Sequence, residues 1–292
     1  MTPASVGPAT WVNGERLPTD GRHVSSRDRG FTLADGLFET MRARHGVVFR
    51  LERHLTRLER SLDLLQIPRP ADLRAWVDAA LTDAKAPDAS VRLTVTRGPA
   101  PGGVTPPAAA SPTVVISINP FPSFAAAVYE SGLSAHVASG RRNEQSMTCG
   151  LKTLSYTDAV VAMVEATRAG ADDALFLDTE SHCSEATSSN LFLWTGTELV
   201  TPPGSCGALP GITRAAVMEI ARAQGLRVAE RAFGLEELYA AEEAFLTSSL
   251  RGIAPLVRVD GRAIGNGAPG GRTHAIAARY AALIDEECGA AS

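Results

Sequence analysis

Apolar residues recur at two spacings along this chain, and the switches between them divide it into elements. Thr10-Trp11-Val12 and Arg16-Leu17 flank Asn13-Gly14, the signal of a tight hairpin. Residues 37–44 and 47–51 flank His45-Gly46 and predict a second hairpin. Leu55, Leu58, Leu62 and Leu65 then fall three or four apart, which predicts a helix over 52–66, stopped by Pro68 and Pro70. Leu73, Trp76, Val77, Ala80 and Leu81 predict another over 70–84. Residues 91–97 alternate like a half-buried strand, 98–112 are rich in Pro, Gly and Ala and predict a loop, and 113–118 read as a further strand. Residues 119–126 carry two prolines and two phenylalanines and read as a linker. Beyond it the pattern predicts strands at 133–138, 174–177, 190–194 and 243–246. It predicts helices at 154–168, 213–224 (closed by Gly225) and 271–287. No repeat of fixed period is present. The expected organisation is a small N-terminal α/β domain over 1–119, an interdomain linker over 120–130 and a larger C-terminal domain over 131–292.

Composition narrows the function more than the fold. The chain has 292 residues, 45% hydrophobic and 21% charged, with a net charge of −4. That suits a globular domain pair and argues against a nucleic-acid or anionic-membrane partner. The first seven residues have neither a basic start nor an apolar run, and no stretch approaches a membrane span, so a cytoplasmic protein is expected. Cys149, Cys183, Cys206 and Cys288 are widely spaced. They show no metal-ligand spacing and no disulfide framework, so no metal is expected.

The charge inventory holds one chemical signal. Of 28 basic residues only Lys85 and Lys152 are lysines. Arginine stays protonated, whereas a desolvated lysine can lose its proton and attack a carbonyl. Lys85 sits in a polar stretch before Pro87, at an expected helix end. Lys152 sits between apolar neighbours in Gly150-Leu151-Lys152-Thr153-Leu154, and is the candidate for a Schiff base.

The commonest carbonyl partner of such a lysine is pyridoxal 5'-phosphate, which makes further demands. Its ring nitrogen wants a carboxylate and its phosphate wants helix N-terminal amides and a cation. Glu185 lies in the small, hydroxyl-rich loop Ser184-Glu185-Ala186-Thr187-Ser188-Ser189-Asn190. Leu209-Pro210-Gly211-Ile212-Thr213-Arg214 leads into an amphipathic helix. Arg57 lies on the first long helix. Each also has a plain structural reading: a turn glutamate, a helix capped by Thr213, a solvated arginine.

Taken together and in this order, these segments resemble the class-IV aminotransferases, pyridoxal-phosphate enzymes of fold type IV. The family includes branched-chain and D-amino acid aminotransferases and aminodeoxychorismate lyase. Asp28-Arg29-Gly30-Phe31 and Asp35-Gly36-Leu37-Phe38-Glu39 extend the likeness toward the N-terminus. The resemblance implies a mixed α/β two-domain fold with a C-terminal pseudo-barrel, a homodimer, and amino transfer between an amino acid or primary amine and a 2-oxo acid. It implies Lys152 as the catalytic residue. It further implies cofactor contacts from Arg57, Tyr156, Glu185, Ser189, Asn190, Leu209, Gly211, Ile212, Thr213 and Ser249. Phe38, Arg92, Arg97 and Leu250 are the implied substrate-side residues. The substrate-carboxylate trap of the D-amino acid enzymes is missing, since its positions read Gly102 and Val104. The segments Lys152-Thr153-Leu154-Ser155-Tyr156 and Ser248-Ser249-Leu250-Arg251-Gly252 resemble the lyases. Release of pyruvate and p-aminobenzoate from aminodeoxychorismate is therefore the alternative.

Overall fold

The structure is a computed structural model that describes residues 7–289. The chain's first six residues, part of the stretch read above for a leader, lie outside them. The chain divides into two compact units. Among the described residues the first holds 7–122, 151–155 and 284–289, and the second holds 123–150 and 156–283.

The first unit is built on β1 (Ala9–Val12), β2 (Glu15–Leu17), α1 (Arg29–Leu33), β3 (Gly36–Arg44), β4 (Val47–Val48), α2 (Leu51–Leu64), α3 (Leu73–Ala84), β5 (Ala89–Thr96) and β6 (Thr113–Pro120). Its strands form one antiparallel sheet in the order β2-β1-β6-β5-β3-β4. One side chain in two faces α2 and α3. Leu37, Met41, Val91, Leu93, Val95, Ile116 and Ile118 from the sheet bury against Leu55, Leu58, Leu62, Val77 and Leu81 from the helices.

Residues 151–155 depart from the expected division. The sequence pattern carries a helix back to Leu154, but the helix starts later and 151–155 run extended along β3. Phe38 N donates to Lys152 O at 3.0 Å, Leu154 N donates to Gly36 O at 3.0 Å, and Leu37 bridges Thr153. Gly36 permits this: a Cβ there would lie 2.6 Å from Val95 O and 2.9 Å from the Leu154 side chain. Local helix propensity is a weak preference and yields to backbone pairing with a strand.

The second unit holds α4 (Ala127–Glu130), β7 (Leu133–Arg142), α5 (Thr157–Arg168), β8 (Asp173–Asp178), β9 (Cys183–Ala186), β10 (Asn190–Thr195), β11 (Glu198–Thr201), α6 (Ile212–Ala223), β12 (Arg227–Glu230), α7 (Leu235–Ala240), β13 (Glu243–Ser248), β14 (Gly252–Val259), β15 (Arg262–Ala263) and the start of α8 (Gly271–Gly289). The stretch around Glu185, read above as a loop, is strand β9. It pairs with β8 on one side and, through Glu185 opposite Asn190, with β10 on the other. That second pairing closes the ring β10-β13-β14-β7-β8-β9 into a barrel-like sheet. Leu175, Leu191, Leu193, Leu246 and Leu256 fill its core. Phe192 and Phe245 are register partners whose rings stack with centroids 5.0 Å apart. Among the described residues no helix is long and apolar enough to cross a membrane.

Asp28 fastens the first unit's α1 to its sheet. Fully buried, it accepts from Gly30 N at 2.8 Å, Thr96 Oγ1 at 3.0 Å and Thr113 Oγ1 at 2.7 Å. Asp28→Ala would strand an amide and two hydroxyls. Unfolding in urea should show it destabilised by about 3 kcal/mol, with Asp28→Asn showing a smaller loss.

Candidate functional site

In the first unit the chemistry gathers around β3. Phe38 is buried, and Lys152 Nζ lies 4.5 Å from its ring centroid. Arg92 of β5 lies over the same ring at 3.8 Å. Arg92 opposes Thr40 on β3 and Ser117 on β6, so this side of the sheet carries a polar row beside the lysine.

The opposite side of β3 carries Glu39, which points toward α2. Arg57 donates to it twice, Nε to Oε1 at 2.8 Å and Nη2 to Oε2 at 2.5 Å. His54 Nδ1 lies 2.7 Å from the same Oε2. Burial alone would raise the Glu39 carboxyl, but His54 and Arg57 outweigh it and pull it down to about 2. Burial drives His54 the other way, below its ordinary value. Arg57 is thus a half-buried cation oriented by a carboxylate, not a solvated helix-face residue. Sequence reasoning singles out neither Glu39 nor His54, although Glu39 stands inside a motif quoted above and His54 lies three residues before Arg57.

Arg97 is expected to face substrate, and the structure places it elsewhere. It is 7% exposed. Its Nε and Nη2 hold both oxygens of Asp35 at 2.7 and 3.1 Å, and it also donates to Leu65 O and Gln66 O. The carbonyls at the end of α2 and the carboxylate of Asp35 claim this guanidinium. Arg29 also pairs with Asp35, at 2.7 Å, and donates to the carbonyls of Gly103 and Val104. Burial raises Asp35, but the hydrogen bonds and charges of the two arginines leave it below its usual value.

In the second unit the closing pair of the ring is the centre. Glu185 is 8% exposed. Its Oε2 accepts from Leu209 N at 2.9 Å and Asn190 Nδ2 at 3.4 Å, and its Oε1 lies 3.3 Å from Arg142 Nη2. Asn190 Nδ2 also donates to Leu209 O at 2.8 Å, tying the segment before α6 to the ring. Gly211 is the N-cap of α6 and provides no side-chain cap; a Cβ there would clash with Asn190 Oδ1. The first-turn amides of Ile212 and Thr213 therefore open at the positive end of the helix. Thr213 is not the cap expected of it: its hydroxyl lies 3.1 Å from Tyr280 Oη. The buried hydroxyls of Ser184, Ser189 and Thr247 have no hydrogen-bond partner among the described residues. Thr247 is the register partner of Asn190, a placement that strand pairing alone reveals.

Ser249 and Leu250 stand half-buried in the turn between β13 and β14. Tyr156 immediately precedes α5. Arg251 is anchored by Asp173, Nη1 to Oδ2 at 3.4 Å.

The family described as amino-transferase class IV matches residues 36–259. A Methanocaldococcus jannaschii protein provisionally named a branched-chain-amino-acid aminotransferase is 35% identical over 260 residues, which is 88% of this chain and 89% of that protein. The crystal structure of 4-amino-4-deoxychorismate lyase from Pseudomonas aeruginosa is similar at 34% identity and a TM-score of 0.83, over 95% of this chain and 98% of that one. The crystal structure of the Escherichia coli branched-chain amino acid aminotransferase has a TM-score of 0.90 at 29% identity, over 96% of this chain and 95% of that one. With a match running from β3 to β14, the chain belongs to the class IV aminotransferase family.

Proposed function

We propose that this protein is a pyridoxal-phosphate-dependent aminotransferase that moves an amino group between an amino acid or primary amine and a 2-oxo acid. The observation that carries the reading is Lys152, held by backbone pairing to β3 with its amine beside Phe38. The donor set fits the cofactor: an amine, a buried carboxylate, a cation, an uncapped helix start and unpartnered hydroxyls. When bound, pyridoxal phosphate supplies an aldehyde for amine condensation and an electron-withdrawing ring.

The protein's own groups divide the remaining work. Lys152 Nζ would hold the cofactor, and the same amine would move the proton at the substrate's α-carbon. Glu185 keeps a proton on the ring nitrogen, and Asn190 and Leu209 N hold Glu185 in place. Arg57, Ser249 and the amides of Ile212 and Thr213 bind the phosphate, with Gly211 giving it room and Ser189 a hydroxyl. Leu209 and Tyr156 line the ring. Phe38 and Leu250 shape the substrate side, and Arg92 takes the substrate carboxylate. We place the protein in the cytoplasm as a homodimer; its four thiols without disulfides and the exposed Val160, Val161 and Val164 on α5 support this. A second reading, aminodeoxychorismate lyase, is favoured by Ser248-Ser249-Leu250-Arg251-Gly252.

Mixing holoenzyme with single D- and L-amino acids and primary amines should bleach the cofactor's visible absorption with at least one donor. No bleaching by any donor, together with pyruvate release from aminodeoxychorismate, would replace the transaminase by the lyase. Borohydride reduction and peptide mapping should label Lys152 and leave Lys85 unlabelled, and Lys152→Ala should lose at least about 10³-fold in turnover. Arg92→Gln should raise KM for the 2-oxo acid roughly tenfold or more with kcat changed far less, the signature of lost ground-state binding.

A further inference from the structure

A second cluster of chemically capable side chains lies in the second unit, outside the residues assigned to the cofactor. Asp178 ends β8, His182 stands just before β9, and Cys206 ends a short 3-10 turn over Gly204–Cys206. Chain spacing conceals the group, because Cys206 lies 24 residues beyond His182. Folding brings a carboxylate oxygen, an imidazole nitrogen and a thiol sulfur within 4.8 Å of one another.

We propose that Asp178, His182 and Cys206 form a binding site for a borderline-soft divalent cation of the Zn²⁺ class. Ligation at about 2.0–2.3 Å sets tetrahedral donors roughly 3.3–3.7 Å apart, and all three donors here lie within 4.8 Å of one another. His182 Nδ1 already lies 3.2 Å from Asp178 Oδ2. The carboxylate is fixed from behind: its Oδ1 accepts from Glu180 N at 3.0 Å and His182 N at 2.7 Å, which leaves Oδ2 turned to the other two donors. That backing is the outer-shell support that ligating carboxylates need. Asp178 and Cys206 are buried, whereas the His182 side chain is 35% exposed and gives the ion a way in. Glu180, 3.8 Å from His182 Nδ1 and itself exposed, or a water, can take the fourth position.

The S/N/O donor set selects zinc or cobalt over magnesium and calcium, which prefer oxygen alone. On binding, the Cys206 S–H bond breaks, its proton leaves to solvent and a sulfur–metal bond forms. His182 carries its remaining proton on Nε2 so that Nδ1 can donate its lone pair. No oxidant or reductant takes part.

The site has a structural consequence. Cys206 is followed by Gly207, whose Cβ position lies 3.1 Å from Arg142 Cβ, and then by Leu209, which donates to Glu185. A bound ion would tie the entry of β9 to this segment and brace the carboxylate from both ends.

Holoprotein loaded with Zn²⁺ and dialysed against metal-free buffer should retain about one zinc per chain. Its thermal midpoint should rise with zinc. Cys206→Ser and His182→Gln, checked by circular dichroism and cofactor absorption, should lose that zinc and the shift. Wild-type protein loaded with Co²⁺ should show a thiolate-to-cobalt charge-transfer band, a readout that needs no variant. Absence of retained zinc in the wild type, zinc retained equally by both variants, or a cobalt spectrum without the thiolate band would each overturn the site.

Discussion

The second unit depends on one pairing, Glu185 against Asn190. Closing a sheet abolishes its edges and fixes the register of every strand around the ring. Here the closing rung also carries the carboxylate of the site. A slip of one residue in β9 would send Glu185 to the other face, because successive side chains alternate. A buried carboxylate is costly unless it is hydrogen-bonded, and Leu209 N, Asn190 and Arg142 meet that requirement. Closure of the barrel-like sheet and placement of Glu185 are therefore one constraint. The segment before α6 is held by the same contacts, so the helix start that offers open amides is positioned by the carboxylate it lies beside.

The first unit is organised by a different force, the pairing of arginine with buried carboxylate. Glu39 binds Arg57, and Asp35 binds both Arg29 and Arg97. Removing one member of such a pair costs about 3–5 kcal/mol, because its partner is left charged and dry. Exposed pairs in the same unit, such as Arg69 with Glu59, are screened by solvent and contribute little. The planar fork of arginine suits bidentate contacts, while lysine is a flexible point charge. Arginine can therefore hold these networks in one geometry, whereas a lysine amine can lose its proton, which is the property the proposed role of Lys152 requires.

The elements legible in the sequence are those whose periodicity and burial agree. Leu55, Leu58 and Leu62 predict α2 because they are the residues that bury against the sheet. The alternation around Val91, Leu93 and Val95 predicts β5 for the same reason. Strand β9 is hidden because all four of its residues are buried and two are polar, so no alternation marks it. Leu154 reads as helix because its pairing partner, Gly36 of β3, lies more than a hundred residues earlier. Lys152 and Glu185 stand out by residue type in a sparse background. Thr247, Glu39 and His54 do not, since nothing in their neighbours announces the strand or helix face that places them.

Arg97 shows where residue type alone misleads. It follows a strand end in a Thr-Arg-Gly step, a position that invites a substrate role, yet its donors are committed to Asp35 and to the end of α2. Arg29 is committed too, and it draws the carbonyls of Gly103 and Val104 toward itself. The loop that lacks the charged trap is thus held by its backbone, with Val104 82% exposed. Of the two arginines expected on the substrate side, Arg92 stacks on the ring that Lys152 Nζ also approaches. Phe38 thus brings the amine and the guanidinium to one aromatic ring, with Lys152 Nζ 4.5 Å and the Arg92 guanidinium 3.8 Å from its centroid.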